Sequence, residues 1–335
     1  MKLKDDVIAY QSKGILLRTM HSTKFLLASL ASIVRSWVFL RTILRKCQPD
    51  ILCGGYIQRD GLVCALTRFH PFILMPFASD AVVLPFENPI LRIGSSWIVQ
   101  TADRIACDSL FVKNSLLRLV KRNPDDIAVF PWGIEQDIFD FSIKGDDVRS
   151  KFEWTDKTIV IYTRGFNAEY DPLTFVGAVR ILCSRYPNLR VIMCGTGELE
   201  QECKDYAKSQ GIDDKIRFTG YLPRNNLASY YAAADIYASC SFSDGSSNAL
   251  LEAMTMGLPA VVTRVVSNEE WIIHGENGYL FTYGNRTELA QYIENLVRDK
   301  ELRRKFSRRN RDIAVERADW NKNYETLERV FAEVT

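Results

Sequence analysis

The sequence has only three histidines, no Cys-x-x-C pair, and no surplus of one charge, since 43 lysines and arginines face 41 aspartates and glutamates. Without a charge surplus, no bulk field would drive binding to nucleic acid, and no nucleic-acid partner is expected. The eight cysteines, at 47, 53, 64, 107, 183, 194, 203 and 240, form no His/Cys cluster at metal-ligand spacing. They read as free thiols of a reducing compartment. No stretch of about 18 residues is free of charge, so no membrane-spanning helix is expected. The opening Met-Lys-Leu-Lys-Asp-Asp lacks the apolar core of a secretory signal. A cytoplasmic protein is therefore expected, with His21, His70 and His274 structural or solvent-exposed.

What is present suits two ordinary globular domains: 335 residues, 47% of them apolar, with 18 glycines. A short extended stretch over 7–17 and a helix over 24–46 come first. Short apolar strands ended by turn residues follow over 50–53, 72–75, 104–107 and 127–130, alternating with helical patterns. Such alternation predicts a parallel sheet wrapped by helices. Around Pro131-Trp132-Gly133 the pattern breaks, and 135–157 reads as a polar, irregular connection. A second alternating series runs from Thr158 to Thr263, and three helical stretches run from Arg286 to the end. The expected division is 1–141, 142–318 and a terminal helix over 319–335, giving two doubly wound α/β domains facing across a cleft.

The most informative stretch is Ser239-Cys-Ser-Phe-Ser-Asp244-Gly245-Ser246-Ser247-Asn248-Ala249-Leu250-Leu251-Glu252-Ala253-Met254, followed by Gly257-Leu258-Pro259. A strand ends in a polar loop, Gly245 permits a sharp turn, and a helix starts near Ser246 or Ser247. The free amides of a first helical turn, with the helix dipole behind them, suit an anion such as a diphosphate. A carboxylate on each side, Asp244 and Glu252, suits a ligand with phosphates in its middle and hydroxyls at both ends, as in a nucleotide sugar. The same residues also suit a capped surface helix after an ordinary turn, and the loop alone does not separate the two readings.

This stretch resembles the signature of the retaining glycosyltransferases of family 4, which have the GT-B fold of two facing Rossmann-like domains. In that family a carboxylate, seven residues and a glutamate precede Ala-Met and then Gly-x-Pro, as Asp244, Glu252, Ala253-Met254 and Gly257-Leu258-Pro259 do here. The resemblance implies that Asp244, shorter than the usual Glu, positions donor-sugar hydroxyls and that Glu252 holds the donor ribose. Gly245, Ser246, Ser247, Asn248 and Ala249 would supply amides to the diphosphate. Arg164, in Tyr-Thr-Arg-Gly-Phe, resembles the arginine that contacts the diphosphate by bidentate bonds. The family's usual lysine a few residues later is replaced by Ala168-Glu169-Tyr170-Asp171. Gly195-Thr196-Gly197 resembles the glycine turn near the nucleotide, and Tyr221 and Leu222, in Phe-Thr-Gly-Tyr-Leu-Pro, the loop against the base. Asn268-Glu269-Glu270-Trp271 and Gly275 to Phe281 resemble the motif's sequel.

In the first domain, Pro49-Asp50-Ile51, Ala78-Ser79-Asp80, Ala102-Asp103-Arg104-Ile105, Asp108-Ser109 and Pro131-Trp132-Gly133-Ile134 occur in the family's order. Asp80 is expected at a strand end facing the cleft, as an acceptor-side or catalytic-pocket group, with a turn or helix cap as its alternative. Ala318-Asp-Trp320 and its helix resemble the segment that crosses back to brace the first domain. One departure is large, because the family's opening strand and glycine-rich loop have no counterpart. The start could lie upstream, another strand could fill the place, or the chain could be a shortened binding protein. The resemblance implies retaining transfer of a sugar from a nucleotide-diphosphate donor to a glycan or lipid-linked acceptor, in cell-surface polysaccharide or glycolipid assembly. No cofactor is implied, and with no Asp-x-Asp pair no metal. The alternatives are a noncatalytic nucleotide-sugar-binding subunit and a related phosphorylase or epimerase. The helix over 24–46, basic and aromatic residues flanking apolar ones, is a candidate for peripheral membrane contact, with a buried sheet-covering helix as its alternative.

Overall fold

The computed structural model describes residues 22–242 and 245–334. The extended stretch expected over 7–17, His21 and the candidate Asp244 lie outside the described residues. The first lobe is built on four parallel strands in the order β1 (Leu52–Gly55), β2 (Phe72–Met75), β3 (Arg104–Cys107) and β4 (Ile127–Val129). Its helices are α1 (Ser22–Cys47), α2 (Leu62–Thr67), α3 (Ala78–Val82), α4 (Pro89–Thr101) and α5 (Leu110–Leu119). Helices α4 and α5 begin where the sequence supplies caps: Asn88 accepts from the Leu91 amide and Ser109 from the Val112 amide. Alternation along the strands divides two faces. Leu74, Ile105 and Cys107 join Leu44, Ile98 and Leu116 in one core, while Met75 and Ala106 meet Leu327 and Phe331 on the other face. Cys47 and Cys53 are exposed, Cys183 is half-buried, and the other five thiols are buried.

The second lobe carries a six-stranded sheet with every pairing parallel. Its elements are α6 (Asp146–Lys151), β5 (Thr158–Tyr162), α7 (Pro172–Cys183), β6 (Leu189–Cys194), α8 (Glu200–Ser209), β7 (Ile216–Gly220), α9 (Arg224–Ala233), β8 (Ile236–Ser239), α10 (Asn248–Thr255), β9 (Ala260–Thr263), α11 (Val266–Glu269), β10 (Gly278–Phe281), α12 (Arg286–Arg298), α13 (Lys300–Arg317) and α14 (Trp320–Ala332). The spatial order is β10-β9-β8-β5-β6-β7. From β5 the chain moves outward through β6 to β7, then returns to the other side of β5 to lay down β8. That reversal opens a crevice at the carboxyl ends of β5 and β8, where ligands bind in such sheets.

Two regions differ from the sequence expectation. The supposed irregular connection over 135–157 contains helix α6 and buries Phe139, Val148 and Trp154 in the second lobe's core. Its apolar residues are too sparse to show a period, so each is anchored singly. Arg149 helps by pairing with Asp235 at 2.9 Å and donating to the Lys157 carbonyl at 2.9 Å. Second, Gly278–Phe281, read only as part of a motif, forms the edge strand β10 beside β9.

Helix α14 leaves the second lobe and packs on the first sheet, where Leu327 and Phe331 meet Met75 and Ala106. The crossing is held by backbone bonds from Ile134 to Ala318 (2.7 Å) and from Trp320 to Ile134 (3.3 Å), and by the ion pair of Arg104 with Glu333. Gly133 makes the close approach possible, because a Cβ there would stand 2.1 Å from the Trp320 Cα. Gly133→Ala should therefore lower stability by about 1–3 kcal/mol through overpacking against backbone that cannot yield locally. Urea unfolding followed by tryptophan fluorescence measures the loss.

Candidate functional site

The second lobe's candidate residues gather at the carboxyl ends of its strands. Arg164 follows β5, Gly195-Thr196-Gly197 follows β6, Tyr221 and Leu222 follow β7, and the loop into α10 follows β8. The Gly195 turn and the β7 end are tied by a bond from the Gly195 amide to the Gly220 carbonyl at 2.9 Å. Gly195 has φ +138°, and a Cβ there would lie 2.4 Å from the Arg164 carbonyl oxygen. Only glycine lets this turn sit against the strand end beside it. Tyr221 is 74% exposed, while Leu222 packs on the core.

Arg164 donates to Ser247 Oγ at 3.0 Å, and its guanidinium carbon lies 4.3 Å from the centre of the Tyr170 ring. Ser247 is the N-cap of α10, yet its hydroxyl caps no amide of that helix. The first-turn amides of Asn248, Ala249 and Leu250 have no protein acceptor among the described residues, the condition for an anion seat. The Ser246 amide differs from expectation. It donates to Asp108 Oδ2 at 2.9 Å, a carboxylate reaching over from the end of β3 in the first lobe. Gly245 lies under the same carboxylate, 2.4 Å from where its Cβ would be. Of the amides from Gly245 to Ala249 that were expected to face an anion, that of Ser246 is thus taken by a side chain of the other lobe.

Glu252 stands one turn further along α10, 8% exposed, and accepts a hydrogen bond from the Tyr231 hydroxyl at 3.1 Å. Burial pushes its carboxyl up to about 7, against the lowering influence of Tyr231, Arg224 and Arg164. It lines a pocket of about 300 Å³ with Trp132, Gly133, Asn248 and Trp320, closed on one side by the ion pair of Arg224 with Glu135. A neighbouring cavity of about 850 Å³ lies between the lobes, with Ser79, Asp108, Arg164 and Gly245 among its walls. Trp132 and Asn248 line both spaces.

Asp80 does not belong to this site. Its residue is 0% exposed, its Oδ2 accepts from the Ile57 amide at 2.8 Å, and its backbone carbonyl accepts from Gln58 at 2.8 Å. Helix α3 turns Ser79 toward the cavity and Asp80 into the lobe, where it holds the backbone turn after β1. The cap alternative from the sequence is nearer the observed role. Burial pushes Asp80 up to about 7. Asp108 and Trp132, which follow β3 and β4, were read from the sequence only as landmarks in the family's order and given no role at the site. Sequence reasoning missed a second crossing contact, in which Glu270 accepts from the Leu110 and Phe111 amides at 3.2 and 2.8 Å and so caps α5 from the other lobe.

Two Rossmann-like lobes, joined by a returning helix and facing across these cavities, define the GT-B class of fold. Solved structures agree. The UDP complex of Anabaena HepE superposes with a TM-score of 0.76 at 16% identity, covering 89% of this chain and 82% of that one. Sucrose-phosphate synthase from Thermosynechococcus elongatus gives 0.77 at 18% identity, covering 88% and 76%. The chain belongs to the glycosyl transferases group 1 family, whose sequence model matches residues 145–313. Among curated relatives, the N-acetyl-alpha-D-glucosaminyl L-malate synthase of Bacillus anthracis is 26% identical over 288 residues, 83% of this chain and 71% of that protein. The D-inositol 3-phosphate glycosyltransferase of Corynebacterium diphtheriae is 26% identical over 260 residues, and the chain spans 60% of its length. An uncharacterized glycosyltransferase of Haemophilus influenzae is 31% identical over 134 residues, with 37% of its length spanned.

The raised carboxyls of Asp80 and Glu252 carry a pH dependence whose sign is set. A group whose folded value lies above its unfolded one favours folding most below the unfolded value and loses that contribution as pH rises through the folded one. Thermal stability should thus fall between about pH 4 and pH 7 from these two groups. Asp80→Asn, isosteric with the protonated acid, should come nearest to the wild type below about pH 4, where the wild-type carboxyl is protonated in both states. At pH 8 it should be the more stable, the gap widening by up to about 1.4 kcal/mol per pH unit over the window. Melting curves of both proteins across this range provide the measurement.

Proposed function

We propose that the protein is a retaining glycosyltransferase of family 4, moving a sugar from a nucleotide-diphosphate donor to an acceptor hydroxyl in cell-surface polysaccharide or glycolipid assembly. The observation that carries this reading is the meeting of Arg164, the open amides of α10 and the buried Glu252 at the β5/β8 crevice. One end of such a site suits a diphosphate and the other a ribose. HepE, whose fold this chain shares, has been solved with UDP, with UDP and glucose, and with UDP-glucose.

In this reading the bond from the sugar's anomeric carbon to the diphosphate oxygen breaks, and the electron pair departs with the diphosphate. Arg164 and the amides of Asn248 and Ala249 stabilise the departing charge from fixed positions, the largest single contribution available to such a site. Gly245, Ser246 and Ser247 shape the loop, and Asp244 keeps the positioning role toward the donor sugar that the resemblance gives it. Gly195, Thr196, Gly197, Tyr221 and Leu222 border the base. The scheme needs no metal. The acceptor, a glycan or lipid-linked saccharide, gives its hydroxyl proton to the departing diphosphate oxygen as the new bond forms on the face the donor left. For peripheral membrane contact the support is helix α1, where Val34, Val38 and Phe39 are exposed beside Arg35 and Arg41. No helix among the described residues is long and apolar enough to cross a membrane.

A thermal-shift panel of UDP-, GDP- and ADP-sugars tests the reading, with at least one expected to raise the melting temperature. Glu252→Ala should weaken that nucleotide at least tenfold, and Glu252→Gln, which keeps one acceptor for a ribose hydroxyl, should weaken it less. Chelation by EDTA should leave the shift unchanged. Unaltered affinity in Glu252→Ala would contradict the ribose assignment.

A further inference from the structure

Four aromatic rings form a row that begins in the larger cavity and ends on the outer surface. Phe77 and Trp132 lie 6.3 Å apart between centres at 17°, Trp132 and Trp320 6.4 Å at 13°, and Trp320 and Tyr324 5.7 Å at 27°. Phe130 meets Trp132 edge-on at 5.2 Å. The last two rings belong to α14 and have a structural reason to stack, since they seat that helix on the first lobe. Phe77 has no such reason. It stands at the inner end of the row, 40% exposed, on the wall of the cavity of about 850 Å³. An exposed phenyl ring costs free energy unless it meets a partner, and near-parallel rings behind it fix its orientation in advance.

We infer that Phe77, backed by Trp132, is the floor of an acceptor subsite for an uncharged sugar ring, which lays its C–H face on the phenyl group and turns its hydroxyls toward the cavity's polar wall. The inference rests on the proposed sugar transfer and names its acceptor class. The wall supplies the Ser79 hydroxyl and the carboxylates of Glu87, Asp108 and Glu169, with Arg164 the one cation among the described lining residues. Carboxylates accept hydrogen bonds from sugar hydroxyls and repel a phosphorylated or carboxylated ring. Trp132 lines both this cavity and the pocket that holds Glu252, so an acceptor on Phe77 is next to the donor seat. A nucleobase could also stack on the ring, but it offers few donors to three carboxylates, whereas a pyranose offers several.

Saturation-transfer NMR on the intact protein tests this with methyl glucoside, methyl mannoside and methyl N-acetylglucosaminide as neutral probes, against glucuronate, glucose 6-phosphate and uridine. At least one neutral glycoside should respond, with the signal falling fivefold or more in Phe77→Ala and retained in Phe77→Tyr. Any response of the anionic sugars or uridine, which the donor seat can hold, should be the same in Phe77→Ala as in the wild type. An equal neutral-glycoside response in Phe77→Ala, no response from any neutral glycoside, or an equally Phe77-dependent response from the anionic sugars or uridine each overturns the subsite. Nucleotide binding, followed by thermal shift on the same samples, is a separate readout. Its absence counts against sugar transfer, while its presence beside a Phe77-independent glycoside response counts against the subsite alone.

Discussion

The pairing of β5 with β8, Val160 opposite Ile236 and Ile161 opposite Tyr237, is the constraint on which the rest of the second lobe depends. These strands are far apart in sequence and run parallel, so the loops that leave them emerge side by side at one edge of the sheet. Arg164 leaves β5 and the helix α10 follows β8, and only this adjacency brings a guanidinium within 3.0 Å of the α10 N-cap. A different strand order would leave the same residues on separate edges of the molecule. The buried Tyr231, bonded to Thr163 at 2.6 Å and to Glu252 at 3.1 Å, then ties the β5 end to the second turn of α10.

Between the lobes the contacts are polar and reciprocal. A carboxylate of the first lobe, Asp108, takes an amide of the second, and a carboxylate of the second, Glu270, takes two amides at a helix start in the first. Charge-assisted bonds of this kind are directional and exchange readily with water or with a ligand anion, unlike a packed apolar seam. The lobes meet through such bonds and through one crossing helix, so ligand-sized space persists between them. This gives a physical setting in which closure around a substrate does not require breaking a core.

Much of the architecture was legible in the residue pattern. Phe72–Met75 and Arg104–Cys107 are strands over the residues expected, as Arg224–Ala233 is a helix, because apolar runs with flanking turn residues and caps leave few alternatives. The connection over 135–157 was not legible. Its burial of Phe139 and Trp154 depends on a surface formed by distant elements, and no local period records it. At the site, Arg164, Glu252 and the α10 start could be picked out from an ordered series of motifs. The inward turn of Asp80 could not be, since adjacent residues of one helix face opposite ways and the pattern does not say which of Ser79 and Asp80 meets the cavity.

The order of strands and helices, the turn glycines and the capped helix starts were decided by the sequence alone, because each depends on side chains within a few residues of one another. Tertiary structure alone decided that Asp108 would take the Ser246 amide, that Phe77 and Trp132 would stack with Trp320, and that Glu252 would be buried beside Tyr231. Those contacts join residues separated by tens to more than a hundred positions, and their geometry exists only once the sheets have set which chain ends lie together.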